Sequence, residues 1–426
     1  MAVQEKVICG QAPCGLRYAL RQSGRSVAWC ALTIGAGTRD EAGYPAGIAH
    51  FVEHTLFRGT RRKSASVISS YLDRLGGELN AFTTKEEIAL HATVLKEDLG
   101  KALRLLLELA TESIFPDQEI ETERGVILDE IISYKDNPAE DVYDRFETLL
   151  FAGHPLETPI LGTAASVKKI TPEMLRRFVA EKFIPSRMVL SIVADEEPAK
   201  LERLLLKCLD AVSWPDSTLP APFARTGSRS DGSGRVLSGL KDNSFDKVID
   251  KHHHEVNAVI GGTAPSLYEM PDRLVAAMFA NILGGPASNS LLNAELREKR
   301  GWVYGIECNY TQYADTGVVA ISFGCDKPNL EACTKAIDKM LERLREKPVS
   351  AARLRSYRKQ LLGQLAISSE AGEAQCLALG KSMLAWGEVL SSARIKELLE
   401  AVTPEDLQSM ASRLFAPEKL SSLIYL

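Results

Sequence analysis

The chain has 426 residues, too many for one ordinary hydrophobic core and enough for two domains of about 200 residues each. Hydrophobic residues make up 45% and charged residues 25%, a balance that excludes a disordered or membrane-embedded chain. A formal net charge of −5 with scattered Lys and Arg excludes an extended nucleic-acid surface.

Residues 1–6 carry no basic segment leading into an apolar one, and no apolar run approaches the roughly 18 residues needed to span a bilayer. A cytoplasmic, non-membrane protein is expected. The eight cysteines form no C-x-x-C pair and read as reduced, mostly buried thiols. Residues 27–36 are apolar and β-branched and predict a buried strand, followed by a Gly/Asp/Pro-rich turn to Gly47. A helix is expected over 48–57, stopped by Gly59, and the short basic run Arg58, Arg61, Arg62, Lys63 reads as a solvated loop. Val67, Ile68, Tyr71, Leu72 and Leu75 recur at helical spacing up to Gly76-Gly77. Two strands within 78–95, helices over 98–113 and 117–135, and a strand over 188–194 follow. Residues 214–235 are dense in Pro, Gly and Ser and mark a linker, beyond which a strand begins near Glu255.

The second half reads as a degenerate copy of the first. Aligned on Pro45 and Pro271, Leu56 falls on Ile282 and Gly59 on Gly285, whereas His50, Glu53 and His54 fall on Ala276, Phe279 and Ala280. The expected class is α+β, with domains at 1–213 and 236–426. Each is a mostly antiparallel sheet packed with helices, and only the first carries chemistry.

That chemistry centres on His50-Phe51-Val52-Glu53-His54. Residues four apart share one helix face, so both imidazoles can reach a single ion, and neutral imidazole suits zinc. Glu53 shares that face and can serve as a general base. The order H-x-x-E-H inverts that of the zincins. A third ligand is needed, and the 117–135 helix offers Glu119, Glu121, Glu123, Asp129 and Glu130. Glu123 and Glu130 lie two turns apart on one face, and spacing alone leaves open which binds and which orients a histidine. His252, His253 and His254 read as a surface cluster, and His91 and His154 as structural residues.

The chain resembles the insulinase/pitrilysin family of inverzincin metallopeptidases, which includes the mitochondrial processing peptidases. The likeness rests on Gly47–Thr60 (GIAHFVEHTLFRGT), Glu123–Glu130 (ERGVILDE) and Leu296–Tyr304 (LREKRGWVY). It implies Glu130 as the third ligand of one zinc ion per chain, with Glu123 supporting a histidine. It implies that Arg297 and Tyr304 meet the substrate, where a guanidinium and a phenol would stabilise charge on a carbonyl oxygen. It also implies a clam-like chamber around peptide substrates, gripped along the edge strand at Asn80, Ala81 and Phe82 by β-augmentation. A half-length chain of this kind is expected to work as a homodimer, or as a heterodimer with a related chain. The resulting expectation is a zinc endopeptidase; the alternative is a catalytically weak peptide-binding or assembly subunit.

Overall fold

The computed structural model describes residues 7–214 and 244–426, so the linker expected over 214–235 lies, beyond Trp214, outside the described residues. The described chain forms two compact units, each a mixed sheet packed with helices. One holds 7–131, 158–214 and 367–390, and the other 132–157, 244–366 and 391–426.

In the first unit six strands are ordered β1-β2-β6-β3-β5-β4. They are β1 (Val7–Gln11), β2 (Arg17–Gln22), β3 (Val27–Ile34), β4 (Glu78–Thr83), β5 (Ile88–Leu95) and β6 (Met188–Ala194). Every neighbouring pair is antiparallel except β2 with β6. β6 is buried along its whole length, which explains its unbroken apolar reading: a strand covered on both faces has no polar side to alternate with. Leu190 and Ile192 enter one core with Leu20 and Leu32. That core also takes residues of α1 (Ile48–Leu56), α2 (Leu99–Glu112) and α3 (Asp117–Lys135). Val189 and Val193 point the other way, onto Cys376, Leu379 and Met383 of the helix Gly372–Trp386. At roughly 1.5–3 kcal/mol per buried aliphatic side chain, both faces contribute substantially to holding the sheet.

In the second unit five strands are ordered β7-β11-β8-β10-β9. They are β7 (Asp246–Ile249), β8 (Glu255–Ala264), β9 (Val303–Gln312), β10 (Gly317–Asp326) and β11 (Ser421–Tyr425), and only β7 with β11 is parallel. One face is covered by α4 (Pro138–Leu150) through Val142, Phe146 and Leu150 against Val259, Ala320 and Tyr425. The other face packs against α5 (Asp272–Gly284). Here Ala276, Phe279 and Ala280, the counterparts of His50, Glu53 and His54, are buried in an apolar core.

Each unit thus takes one covering helix from the other half of the sequence: α4 precedes the linker yet packs in the second unit, and Gly372–Trp386 follows it yet packs in the first. Among the described residues no helix is long and apolar enough to cross a membrane. All eight cysteines are free, and Cys30, Cys208, Cys308, Cys325, Cys333 and Cys376 are buried.

Candidate metal centre

α1 begins at Gly47, whose φ of 88° lies in the left-handed region and whose added Cβ would stand 2.7 Å from the Leu161 carbonyl oxygen. Only glycine meets both demands without strain. The helix start is capped from a distance: Glu41, 6% exposed, accepts the backbone N–H groups of Gly47 at 3.0 Å and Ala49 at 2.9 Å, one on each carboxylate oxygen. Burial pushes the Glu41 carboxyl up to about 8, against the lowering effect of those two bonds. α3 is fastened in the same unit by Arg124, whose guanidinium lies 5.3 Å from the Phe51 ring centroid and donates to the Ile170 carbonyl at 2.8 Å.

This packing brings His50, His54 and Glu130 together, with one potential ligand atom from each inside a mutual 4.8 Å. Glu130 Oε2 stands 3.6 Å from His50 Nε2 and 3.5 Å from His54 Nε2. Both separations exceed ordinary hydrogen bonds. They match the spacing of about 3.4 Å between donors that each lie about 2.1 Å from a tetrahedrally held ion. Glu130 Oε2 and His50 Nδ1 are buried atoms with no hydrogen-bond partner. A His-His-carboxylate donor set with an unsatisfied buried oxygen fits zinc.

Neighbouring groups prepare the ligands. Burial, reinforced by the nearby His54, lowers His50 to about 4, so its imidazole is neutral at physiological pH. At His54 burial pulls downward, but Glu130 and Glu123 outweigh it and the net shift is upward. Glu130 is held below its ordinary range, chiefly by His54. Glu123, 1% exposed, pairs its Oε2 with His54 Nδ1 at 3.0 Å, which leaves Nε2 as the ring's potential ligand atom. Its Oε1 forms an ion pair with Arg58 Nη2 at 2.6 Å.

Glu53, on the same helix, is raised by burial, and its Oε2 accepts a hydrogen bond from Thr83 Oγ1 at 2.7 Å. Thr83 ends β4, the outermost strand of its sheet. Asn80, Ala81 and Phe82 precede it in register with His91, Leu90 and Ala89 of β5. Period-two alternation puts Ala81 and Thr83 on the α1 side and Asn80 and Phe82 on the other.

Arg297 and Tyr304 belong to the second unit. Arg297 is exposed and lines a cavity of about 1000 Å³ with Glu140, Asn257 and Glu307. Tyr304, 58% exposed on β9, donates to Asp326 Oδ1 at 2.7 Å. His91 pairs with Glu373 at 2.8 Å and His154 with Asp315 at 3.2 Å. His252 pairs with Asp250 at 3.2 Å, and among the described residues no metal-ligating group other than His50, His54 and Glu130 is found.

Three residues at the site escape sequence reasoning. Thr83 shares a face of β4 with Ala81 by alternation, but no local pattern shows that this face meets Glu53. Glu41 carries no local signal. Arg58 belongs to the run expected to be a solvated loop, yet it pairs with Glu123, while Arg62 pairs with Glu112 and Lys63 with Glu108.

Residues 17–164 match the family model described as Insulinase (Peptidase family M16), and residues 169–361 match that described as Peptidase M16 inactive domain. An uncharacterized zinc protease of Streptomyces coelicolor is 30% identical over 88% of this chain and 80% of its own. The uncharacterized zinc protease YmxG of Bacillus subtilis is 29% identical over 94% and 93%. The fold is shared with a crystallised protease from Helicobacter pylori, at a TM-score of 0.88 and 20% identity over 99% of both chains. A putative M16-like peptidase from Alicyclobacillus acidocaldarius gives 0.83 at 18% identity over 100% of this chain and 99% of its own.

Proposed function

The chain belongs to the insulinase family, peptidase family M16, and on that footing we propose that it is a zinc endopeptidase acting on peptides or unfolded polypeptide segments. The observation that carries this reading is the clustering of His50, His54 and Glu130 on two helices, with Glu53 beside them on a carboxylate rotamer held by Thr83.

His50, His54 and Glu130 would hold one zinc ion per chain, with Glu123 fixing the tautomer of His54. When bound, zinc supplies Lewis acidity, polarising the peptide carbonyl and making water more acidic. Glu53 keeps Oε2 on Thr83, and its Oε1 takes the proton of the attacking water and returns it to the departing amine nitrogen. Its raised affinity for protons suits a group that must first accept one and then release it. The edge strand β4, through Asn80, Ala81 and Phe82, would pair with substrate main chain, which holds a peptide without demanding a particular sequence. Arg297 and Tyr304 would bind the substrate and stabilise charge on its carbonyl oxygen, contributed by the same chain or by a partner. A homodimer, or a heterodimer with a related chain, would complete the chamber, and a cytoplasmic setting accords with the free thiols.

The test is cleavage of a quenched peptide library by the full chain before and after chelation. Cleavage that stops with chelator and returns with zinc is the expected result. Cleavage indifferent to chelator would remove the metal from the reaction.

A further inference from the structure

The Glu123 carboxylate is 1% exposed, and an anion so buried is costly unless it is paired. One of its oxygens is committed to His54 Nδ1 at 3.0 Å. The other, Oε1, has no aligned hydrogen-bond donor and is met by charge alone, 2.6 Å from Arg58 Nη2. Arg58 stands just beyond the end of α1 and is tied to it by its own N–H, which donates to the Thr55 carbonyl at 3.1 Å. Its side chain, 39% exposed, reaches from the α1 end across to α3. We propose that Arg58 is a positioning residue for the metal: it anchors the Glu123 carboxylate so that Oε2 stays on His54 Nδ1 and the His54 ring keeps Nε2 turned toward Glu130.

A carboxylate at a helix surface can rotate about its terminal torsion, which is broad and two-fold, so one hydrogen bond alone fixes it poorly. A cation beside the second oxygen restricts that freedom and balances the buried negative charge. Partners one shell out from a metal ligand typically change metal affinity by about 10- to 100-fold when removed, and Arg58 acts on that partner. Arg62 and Lys63 of the same run are engaged elsewhere, Arg62 with Glu112 at 2.8 Å and Lys63 with Glu108.

The inference rests on the zinc reading, so its test measures zinc binding rather than turnover. Zinc affinity of the full chain is measured by chelator competition for wild type, Arg58→Met, Arg58→Lys, Glu123→Gln and the Arg58→Met/Glu123→Gln double variant. Arg58→Met is expected to weaken zinc by about 10-fold or more. Arg58→Lys, which keeps the charge on a flexible stem, recovers part of the loss. The double variant binds zinc as weakly as Glu123→Gln alone, because Arg58 acts only through Glu123. Wild-type affinity in Arg58→Met, or losses that multiply in the double variant, overturns the proposal while leaving the zinc site standing. A wild-type chain that takes up no zinc overturns the zinc reading itself, and this inference with it. Should Arg58→Met fail to fold, Arg58→Lys against Glu123→Gln decides: Lys affinity below that of Glu123→Gln contradicts the proposal.

Discussion

Replacing Glu41 with Ala perturbs the active helix from outside the metal ligands. The two carboxylate oxygens satisfy the N–H groups of Gly47 and Ala49 at 3.0 and 2.9 Å, in a place only 6% exposed. Leaving a buried donor unpaired costs about 1–3 kcal/mol, so losing both acceptors should destabilise the start of α1 by about 3 kcal/mol. Because the chain has two compact units, a single global unfolding energy is a poor readout, and local opening is better followed by hydrogen exchange. When closing outruns exchange, about 3 kcal/mol corresponds to amides of α1 exchanging on the order of 100-fold faster. Glu41→Gln keeps one acceptor and should lose about tenfold. Peptides from the second unit serve as an internal control and should not change. Unaltered protection across Ile48–Leu56 in Glu41→Ala would refute the claim that this carboxylate holds the helix.

The same residue gives a pH signature. Its folded-state value, about 8, lies above the ordinary 4.5, so its contribution to stability is full below about pH 4.5 and is lost as pH rises through 8. Exchange protection of the Ile48–Leu56 amides, corrected for the intrinsic pH dependence of exchange, should therefore decline from pH 6 to 9 more steeply in wild type than in Glu41→Gln, and parallel declines would contradict this sign. Thr83→Val removes the donor to Glu53 while keeping the side-chain shape. A hydrogen bond to a charged group is worth about 1.5–3 kcal/mol, so kcat should drop by about 10- to 100-fold, with zinc content unchanged and most activity kept in Thr83→Ser. Equal kcat in Thr83→Val and wild type would show that the base needs no such anchor.

What the sequence reveals, and what it hides, follows from the range of the forces involved. α1 and α3 are legible because an apolar stripe at helical period, a stopping glycine and a following Asn-Pro are all local signals. β6 is legible as an unbroken apolar run, although only packing on both faces explains why it is unbroken. β1 and β2 carry short, mixed sequences whose pairing depends on β6, far along the chain, and no local pattern marks them. The exchange of α4 and Gly372–Trp386 between units leaves no mark on periodicity, since an amphipathic helix does not encode which sheet it will cover. At the site, His50, Glu53 and His54 announce themselves by spacing, and the pair Glu123 and Glu130 by a shared face. Arg58 is hidden because its partner sits on another helix, and a charged loop reads as solvated until that partner is known.

The proposed activity requires that His50, His54 and Glu130 hold a zinc ion and that Glu53 work with it in peptide hydrolysis. The decisive measurement is zinc content and quenched-peptide cleavage for wild type and Glu53→Gln, side by side. About one zinc per chain is expected in both proteins, consistent with the three-ligand cluster, with cleavage lost only in the variant. Cleavage by Glu53→Gln at the wild-type rate, or no zinc in either protein after reconstitution, would contradict it.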